Sequence, residues 1–302
     1  METESPRTGE VLGDRYRVEE RVGSGLEGEV FRATDLALGF TVALKVSRSS
    51  KLKVVRRLYD EARILSVLRH DAIVRLHESG KLPDGRAYLS LEWIAGCTLE
   101  TYLSSGRLDE GQMLALGYRL ASALVEIHEQ RFLHRDLKPT NILLASRAPE
   151  GATIHRAKLV DFGVAGILGE SVTRHGLQTR GNRWSGTPLY MAPEQLRGWR
   201  QTPATDIYLL GAVMYQSVYS HAPHCDGGEL VSFKLQGAEK VFDLTIVPER
   251  LEAELALPSS PNLSTATQAV LLRMLRQDPE ERFGNASELC EAIEGARQEV
   301  AG

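Results

Sequence analysis

The sequence predicts an α+β fold in two lobes, a small β-rich lobe followed by a larger α-helical lobe. Residues 14–91 hold short runs of β-branched and aromatic residues between glycine-containing turns, a pattern typical of strands. Residues 97–296 instead show apolar residues at helical spacing. Residues 92–96 would join the lobes, and the cleft between two lobes is a natural ligand site. We expect residues 1–13 to be a disordered lead-in and residues 297–302 to be a short tail.

The small lobe is predicted from strand-forming runs and one amphipathic helix. The strands fall at residues 16–21, 30–34, 40–45, 73–76 and 87–91. Asp84-Gly85 lies between the last two runs, and this dipeptide favours a hairpin turn. The helix is predicted because four apolar residues recur on one face. They are Leu58, Ala62, Leu65 and Leu68.

The larger lobe is predicted to contain a long amphipathic helix near its start. Asp109 is expected to cap this helix, with Gln112 at the third helical position. Its apolar stripe consists of Met113, Leu116, Leu120, Leu124 and Ile127. Further helices are predicted around residues 206–218, 265–275 and 286–297. Residues 145–157, which are rich in Pro, Gly and Arg, are expected to extend a surface hairpin.

The composition is that of an ordinary globular protein, with 42% hydrophobic and 25% charged residues in a chain of 302. A formal net charge of −4 gives no electrostatic reason to expect nucleic acid as a partner. The three cysteines lie far apart, which fits a reducing cytosol. The N-terminus is polar, and no run approaches the roughly 18 apolar residues of a membrane span. We therefore expect a cytoplasmic protein with no membrane partner.

A glycine-rich turn at residues 23–30 has the pattern G-x-G-x-x-G-x-V. Glycines let a bare backbone approach phosphate oxygens, but dinucleotide-binding turns have the same spacing. A dinucleotide site needs a helix directly after the glycines and an acidic residue about 20 residues further on. Here strand-like residues 30–34 follow, and Lys45 on the next strand takes the place of the acid. The context favours a phosphate loop with a lysine partner, although the glycines alone would fit a plain hairpin turn.

Three further motifs follow in order along the chain. Residues 134–141 have the sequence HRDLKPTN, residues 161–163 are DFG, and residues 186–194 are GTPLYMAPE. Together with the glycine-rich turn, they make the chain resemble the eukaryotic-type protein kinases, including the bacterial serine/threonine branch, over residues 15–282. The resemblance implies the bilobal protein kinase fold, with a kinase domain over residues 14–296.

The resemblance also implies a role for each motif residue in phosphoryl transfer from ATP, which needs mainly positioning and charge neutralisation. Asp136 would accept the proton of the attacking hydroxyl, and Lys138 would steady the γ-phosphate. Asn141 and Asp161 would bind Mg²⁺, or Mn²⁺ in its place, because hard cations prefer oxygen ligands. The ATP-binding residues would be Val22, Gly23, Ser24, Gly25, Leu26, Glu27, Gly28, Glu29, Val30, Ala43, Lys45, Glu61, Leu91, Glu92, Ile94 and Leu143.

Other residues would support the site, as the resemblance implies. His134 is expected to be structural rather than a general base. A column that joins the lobes would consist of Leu65, Leu76, His134 and Phe162. Asp206 would hold the catalytic loop from a buried helix, and Glu194 would pair with Arg282.

Substrate type and control are predicted from residues near the catalytic motif. Lys138 and Thr187 resemble the serine/threonine class. Arg135 implies control by a phosphate on residues 164–185, because a guanidinium can order that loop. The candidate autophosphorylation sites are Thr173, Thr179 and Ser185. The expected partners are protein substrates and, for transfer between copies, a transient second copy of the chain.

Alternatives remain for single residues and for the whole chain. Taken alone, Lys45 and Glu61 would fit a surface ion pair, Asp136 a turn residue and Asn141 a helix cap. A nucleotide-binding scaffold (a pseudokinase) and a small-molecule phosphotransferase are the other functions considered. The segment 186–194 counts against the phosphotransferase, which generally lacks it.

One group of potential metal ligands outside the motifs was also considered. It consists of His221, His224, Cys225 and Asp226. The spacing of these residues matches no zinc pattern, so no metal is expected there.

Overall fold

The fold was obtained as a computed structural model. It describes residues 4–25, 28–147, 151–168, 178–179, 183–184, 188–223, 232–236, 239–243, 255–259 and 262–301. The predicted α+β fold in two lobes is confirmed, with a curled sheet in the first lobe and helices dominating the second.

The small lobe is built on a six-stranded antiparallel sheet with one helix, α1, at Leu52–Val67. The strands are β1 Val11–Leu12, β2 Tyr16–Ser24, β3 Gly28–Asp35, β4 Phe40–Ser47, β5 Leu76–Lys81 and β6 Ala87–Glu92. Their order in the sheet is β1-β2-β3-β4-β6-β5. The apolar stripe of α1 is confirmed, because Leu58, Ala62 and Leu65 are buried, and Leu68 follows the last helical turn.

Two parts of the small lobe differ from the sequence expectation. The lead-in is ordered at Val11–Leu12, which pairs with Arg17 and Tyr16, because the buried Leu12 side chain joins the core of the lobe. The strand placed at residues 73–76 instead begins at Leu76 and runs to Lys81. The backbone of Ile73 and Val74 instead pairs with Leu159 of the other lobe, and Val74 N donates to Leu159 O at 2.9 Å.

The larger lobe contains six of the described helices. They are α2 Leu99–Leu103, α3 Glu110–Glu129, α4 Pro193–Arg197, α5 Pro203–Tyr219, α6 Thr265–Met274 and α7 Ala286–Ala301. The predicted cap of α3 is confirmed: Asp109 Oδ1 accepts from Gln112 N at 2.7 Å, and Gln112 Oε1 accepts from Asp109 N at 3.1 Å. The last helix continues to Ala301, across the boundary expected at residue 296.

Short strands and single turns complete the larger lobe. The strands are β7 Gly96–Thr98, β8 Phe132–Leu133, β9 Ile142–Arg147, β10 Gly151–Leu159, β11 Gly166–Ile167, β12 Gln178–Thr179, β13 Arg183–Trp184, β14 Ser232–Gln236 and β15 Glu239–Asp243. One-turn 3-10 helices lie at Pro139–Asn141, Pro188–Tyr190 and Pro279–Glu281. The antiparallel pair β9–β10 is the predicted surface hairpin, and the pair β14–β15 was not predicted.

The two lobes share one continuous core. Buried residues of α1 belong to the same apolar cluster as those of α3 and α5, whereas β1–β4 enclose a separate small cluster. Arg119 on α3 adds a polar tie, because its guanidinium donates to Ala157 O at 2.7 Å and Asp71 O at 3.0 Å. The segment between α1 and β5 is thereby fixed to the larger lobe, which sets the position of α1 beside the cleft.

None of the helices in the described ranges is long and apolar enough to cross a membrane. Cys97 and Cys290 are free thiols, and Cys225 lies outside the described residues. No metal was expected at His221, His224, Cys225 and Asp226. Of these four residues, the structure describes only His221.

Candidate active site

A cavity of about 560 Å³ lies between the lobes. It is lined by β2, β3 and β4 above, by the connection after β6 at the side, and by the loop around Asp136 below. Most of the residues that the sequence predicts for catalysis, ATP and metal line this one cavity. They are Val22, Gly23, Ser24, Gly25, Gly28, Val30, Ala43, Lys45, Glu61, Leu91, Glu92, Ile94, Asp136, Lys138, Asn141, Leu143 and Asp161.

The glycine-rich turn connects β2 to β3 over the mouth of the cavity. Gly25 N donates to Gly28 O at 2.9 Å, so the turn closes as a hairpin. A side chain at Gly28 would collide with the backbone oxygen of Val46 on β4, which explains the glycine at this position. Leu26 and Glu27 lie outside the described residues.

Glu29 does not line the cavity, in contrast to its neighbours Gly28 and Val30. Its carboxylate accepts a hydrogen bond from Arg21 Nη1 at 2.9 Å. Successive side chains of a strand point to opposite faces, so a residue between two cavity-lining positions faces the other side. The assignment of Glu29 to the ATP site is therefore not supported by the side chain's position.

Lys45 is held between two carboxylates at the back of the cavity. Its Nζ lies 2.6 Å from Oε2 of Glu61 on α1 and 2.9 Å from Oδ1 of Asp161. Lys45 and Glu61 are buried, whereas the side chain of Asp161 is about half exposed, at 48%. The buried pair of Lys45 and Glu61 joins a strand to a helix, and Asp161 links this pair to the DFG motif. Because Lys45 and Glu61 are buried, they do not form the surface ion pair that each residue alone would also have fitted.

Lys45 and Asp161 stabilise each other's charge, whereas burial and the neighbouring Asp161 raise the pKa of the Glu61 carboxyl. Burial would lower the pKa of Lys45, but Glu61 and Asp161 outweigh it and hold that pKa above its usual range. Partial desolvation in the cleft would raise the pKa of the Asp161 carboxyl, but the Lys45 ammonium outweighs this effect and lowers that pKa overall. Lys45 is therefore a cation and Asp161 an anion at neutral pH, as a phosphate-binding amine and a cation-binding carboxylate require.

The loop after β8 brings Asp136, Lys138 and Asn141 together. Lys138 Nζ lies 2.7 Å from Asp136 Oδ2, and Asn141 Nδ2 donates to the same oxygen at 3.0 Å. Asn141 Nδ2 also donates to the backbone oxygen of Asp136 at 2.9 Å. The carboxylate of Asp136 is thus fixed by two donors while its side chain remains partly exposed at the floor of the cavity.

Asn141 and Asp161 fit the oxygen ligands of a divalent cation. Asn141 uses its Nδ2 for Asp136, which leaves its carbonyl oxygen as the donor for a cation. Both residues line the cavity, and no group of three or more His, Cys, Asp or Glu side chains suited to a metal occurs in the described part of the chain. Mg²⁺ commonly binds through one or two protein oxygens plus substrate phosphates, so a two-residue site fits its chemistry.

Asp206 on α5 anchors the catalytic loop from below. Its carboxylate accepts from the backbone amides of His134 at 2.9 Å and Arg135 at 2.8 Å, and it lies 2.9 Å from His128 Nε2. These bonds hold Arg135 in the left-handed region, at φ 67°, just before Asp136. The fully buried anion thus fixes a strained turn that places the carboxylate of Asp136.

His134 has the structural surroundings that the resemblance implies. Its ring is fully buried and packs against Phe162, with ring centroids 4.7 Å apart. Burial lowers the pKa of His134, and its Nδ1 accepts a weak bond from Asp136 N at 3.4 Å. A neutral, enclosed imidazole of this kind packs between the lobes and is not placed to take a proton from a substrate.

We expect the stabilisation from Asp206 to depend on pH. Burial would raise the pKa of its carboxyl, but the bonds from His128 and the backbone amides outweigh burial and lower it. A carboxyl with a lowered pKa stabilises the fold above about pH 4, and this contribution is lost as the pH falls through the folded-state value. The difference in unfolding free energy between wild type and Asp206→Asn should therefore shrink from pH 7 to pH 3, as measured by urea unfolding. A constant difference would contradict the assignment.

The far end of the cavity is apolar and suits a flat base. Leu91 lies at the end of β6, and the backbone then passes Glu92 and Ile94 before β7 begins. The remaining apolar residues that line the cavity are Val22, Val30, Ala43, Val74, Trp93, Leu143, Val160 and Val164. The side chain of Glu92 is fixed outside, with Oε2 2.9 Å from Lys158 Nζ, so the backbone rather than the carboxylate faces a ligand.

Sequence reasoning missed several cavity residues and could not place others. Val74, Trp93, Thr140, Val160, Gly163 and Val164 line the cavity but were not predicted. Trp93 lies in the connection at residues 92–96 and Thr140 in the motif at residues 134–141, so both could have been predicted from these segments. Val74 belongs to no motif that indicates a ligand site. Thr173, Ser185 and Thr187 lie outside the described residues, and of Thr179 only the backbone is described, in β12.

Comparisons with known proteins agree with this geometry. A family model for the protein kinase domain matches residues 16–293. Serine/threonine-protein kinase pkn3 of Myxococcus xanthus is 32% identical over 282 residues, which cover 92% of this chain and 49% of that protein. For PknA of Mycobacterium tuberculosis the identity is 31% over 302 residues (97% and 64%), and for PrkC of Bacillus subtilis 28% over 285 residues (93% and 40%). The chain thus spans about half the length of these relatives.

Proposed function

Because this chain belongs to the protein kinase family, in its bacterial-type serine/threonine branch, we propose that it transfers the γ-phosphoryl group of ATP to serine and threonine hydroxyls of proteins. One observation carries the proposal. The carboxylate of Asp136, fixed by Lys138 and Asn141, shares a cavity with the Lys45–Asp161 pair, so a base and a phosphate-binding cation face the same space.

The residues above the cavity would bind and orient the nucleotide. The adenine would lie between Val30, Ala43 and Leu143, and the backbone after Leu91 would hydrogen-bond its edge. Lys45 would bind the α- and β-phosphates, and Glu61 would keep its ammonium aimed at them. The bare backbone at Gly23 and Gly25 would cover the phosphates and exclude water.

The residues below the cavity would carry out the transfer. Asp136 would accept the proton of the substrate hydroxyl as that oxygen attacks the γ-phosphorus, and the bond to the β-phosphate oxygen would break to release ADP. Lys138, 2.7 Å from Asp136, would steady the negative charge on the transferred group. Asn141 and Asp161 would hold Mg²⁺, or Mn²⁺ in its place, which neutralises charge on the phosphate oxygens when bound.

The segment at residues 164–185 would regulate this site. The guanidinium of Arg135 packs against Gly166, where an added side chain would collide with it, so the arginine next to Asp136 lies at the start of the segment. A phosphate on Thr173, Thr179 or Ser185 would give that arginine an anionic partner. Transfer to these residues by a second copy would need only a transient pair of chains, and Thr187 would contact the substrate.

The geometry favours catalysis over a scaffold that only binds nucleotide, because each polar residue proposed for transfer lines the cavity. An ATP-dependent reaction also fits the cytoplasmic location expected from the sequence, where the thiols of Cys97 and Cys290 stay reduced.

Incubation with Mg²⁺ and γ-labelled ATP, with and without a generic basic protein, tests the proposal. We expect label on serine or threonine of the added protein and of the chain itself, as shown by phosphoamino acid analysis. Replacing Mg²⁺ with Mn²⁺ or with a chelator tests the cation. A folded chain that binds ATP but transfers no label, before or after incubation with an active serine/threonine kinase, would instead identify a scaffold.

We expect Lys45→Met to weaken ATP binding and also to lower the stability of the small lobe, because it leaves the buried Glu61 carboxylate without its partner. The variant loses a charge-assisted contact to phosphate of about 1.5–3 kcal/mol, which corresponds to an increase of about ten- to a hundred-fold in the KM for ATP. Adenosine binding should change much less, because adenosine lacks the phosphates that Lys45 would contact. An equal loss of ATP and adenosine binding would show that the variant disturbs the small lobe as a whole.

A further inference from the structure

Arg48 holds the glycine-rich turn from outside the cavity. It follows the last residue of β4, and its guanidinium is exposed. Nη2 donates to Ser24 Oγ and to the backbone oxygen of Gly25, both at 2.8 Å. These bonds join β4 to the part of the turn that lies above the proposed phosphate site.

On the β3 side the turn is tied to β4 by backbone pairing that begins at Gly28, whereas on the β2 side Ser24 and Gly25 are joined to β4 through the Arg48 side chain. An added side chain at Gly25 would meet no atom within 4 Å, so nothing packs over the backbone there. Ser24 is paired across the hairpin with Glu29, and Gly25 N donates to Gly28 O, but both contacts lie within the hairpin itself. The Arg48 side chain thus adds bonds from the end of β4 to Ser24 and Gly25 that the hairpin itself does not provide.

Arg48 directly follows β4, the strand that carries Lys45. Lys45 faces the cavity from β4, where Val30 of β3 is its partner in the sheet, and Gly28 is paired with Ser47 next to Arg48. One strand thus fixes both the ammonium that would bind the phosphates and the backbone that would cover them. A change in the position of the turn relative to Lys45 would alter the space available to the phosphates.

We propose that Arg48 is a positioning residue for the nucleotide phosphates, acting through Ser24 and Gly25 to hold the glycine-rich turn over them. The inference rests on the ATP site of the proposed function. It concerns binding of the phosphate groups, so it can be tested without measuring phosphoryl transfer.

Arg48→Ala should weaken binding of MgADP and MgATP by about three- to tenfold, the loss expected for one or two hydrogen bonds at an exposed site. Adenosine binding should be unchanged, since adenosine lacks the phosphates that the turn would cover. In the transfer assay, the KM for ATP should rise more than kcat falls. Arg48→Lys should recover part of the affinity, because an ammonium can still donate to one of the two oxygens.

Two comparison variants separate this role from a general effect on the lobe. Arg17→Ala removes another exposed arginine of the same sheet, away from the turn, and should leave all three affinities unchanged. Ser24→Ala removes one of the two acceptors, so the effect of Arg48→Ala should be smaller in that background. Equal thermal midpoints would show that the variants remain folded.

Titration calorimetry with MgADP, MgATP and adenosine gives the deciding result. Weaker binding of the two nucleotides alone supports the positioning role. An equal change for adenosine, no change for any ligand, or a wild-type chain that binds adenosine as tightly as MgADP would overturn it. A wild-type chain that binds MgATP but transfers no phosphate would contradict the proposed function and leave the result on Arg48 standing.

Discussion

Asp136→Asn is expected to reduce phosphoryl transfer by about 10²–10⁴-fold, the range that a positioned general base contributes. The carboxylate accepts from Lys138 and Asn141 and lines the cavity from below, so the substitution removes the proton acceptor with little change in shape. The amide would also lose the ion pair to Lys138. The rate of label transfer to a basic protein at saturating ATP measures the effect.

The matching control is nucleotide binding. Affinity for MgADP should change by less than about threefold, because Asp136 contacts the hydroxyl substrate rather than the base or the α- and β-phosphates in the proposed mechanism. An Asp136→Asn variant that retains more than a tenth of the wild-type rate would contradict the assignment of Asp136. Loss of nucleotide binding together with transfer would point to a disturbed loop instead.

Glu194→Gln is expected to destabilise the fold by about 3–5 kcal/mol, the typical loss when a buried ion pair is broken from one side. Arg282 Nη1 and Nη2 lie 2.8 and 2.9 Å from the two oxygens of Glu194, and both side chains are almost completely buried. The variant leaves the guanidinium without its counter-ion in a site closed to water. Unfolding in urea, monitored by circular dichroism, gives the free energy.

Glu294→Gln provides the comparison at the surface. Glu294 pairs with Arg297 at 2.7 Å, but both side chains are about 40% exposed, at 43% and 39%. Exposed pairs contribute about 0–1 kcal/mol, so this variant should be within that range of wild type. Equal effects of Glu194→Gln and Glu294→Gln would show that the buried pair has no special role in stability.

Replacement of the whole buried pair is not expected to restore stability. Arg282 also donates to the backbone oxygens of Ala204, Arg276 and Gln277, and it stacks on the ring of Tyr208 with 4.8 Å to the centroid. An apolar residue at position 282 would leave these carbonyl groups without their donor. The arginine therefore links α4, α5 and the turn at Pro279–Glu281 in a way that a hydrophobic pair cannot reproduce.

Patterns of residues close together in the chain correctly predicted features that depend only on contacts between those residues. The capping box at Asp109 and Gln112 depends on residues three apart, and the structure shows both of its hydrogen bonds. The strand expected at residues 73–76 was wrong because Ile73 and Val74 have strand-like side chains but bond to β10 of the other lobe. Leu12 joins the core of the small lobe, although it lies in the segment expected to be a disordered lead-in.

The order of the motifs along the chain was enough to predict which residues share a site. A strand lysine, the HRDLKPTN segment and DFG are separated by many residues, and their association followed from the resemblance rather than from spacing. The order of the motifs does not predict which face of the sheet each side chain occupies. Glu29 was assigned to the ATP site together with Glu27, two residues before it. Its side chain instead faces Arg21, because successive side chains of β3 lie on opposite faces of the sheet.

The sequence by itself determined the family, the two-lobed class and the residue types available for phosphoryl transfer, because these depend on motifs of fixed chemistry in a fixed order. The resemblance also implied that Asp206 holds the loop before Asp136, but only the tertiary structure decided that Lys45 is clamped between Glu61 and Asp161 and that Arg48 ties down the glycine-rich turn. Each of these contacts joins elements far apart in the chain. Their distances depend on how the core packs, which no local pattern of residues specifies.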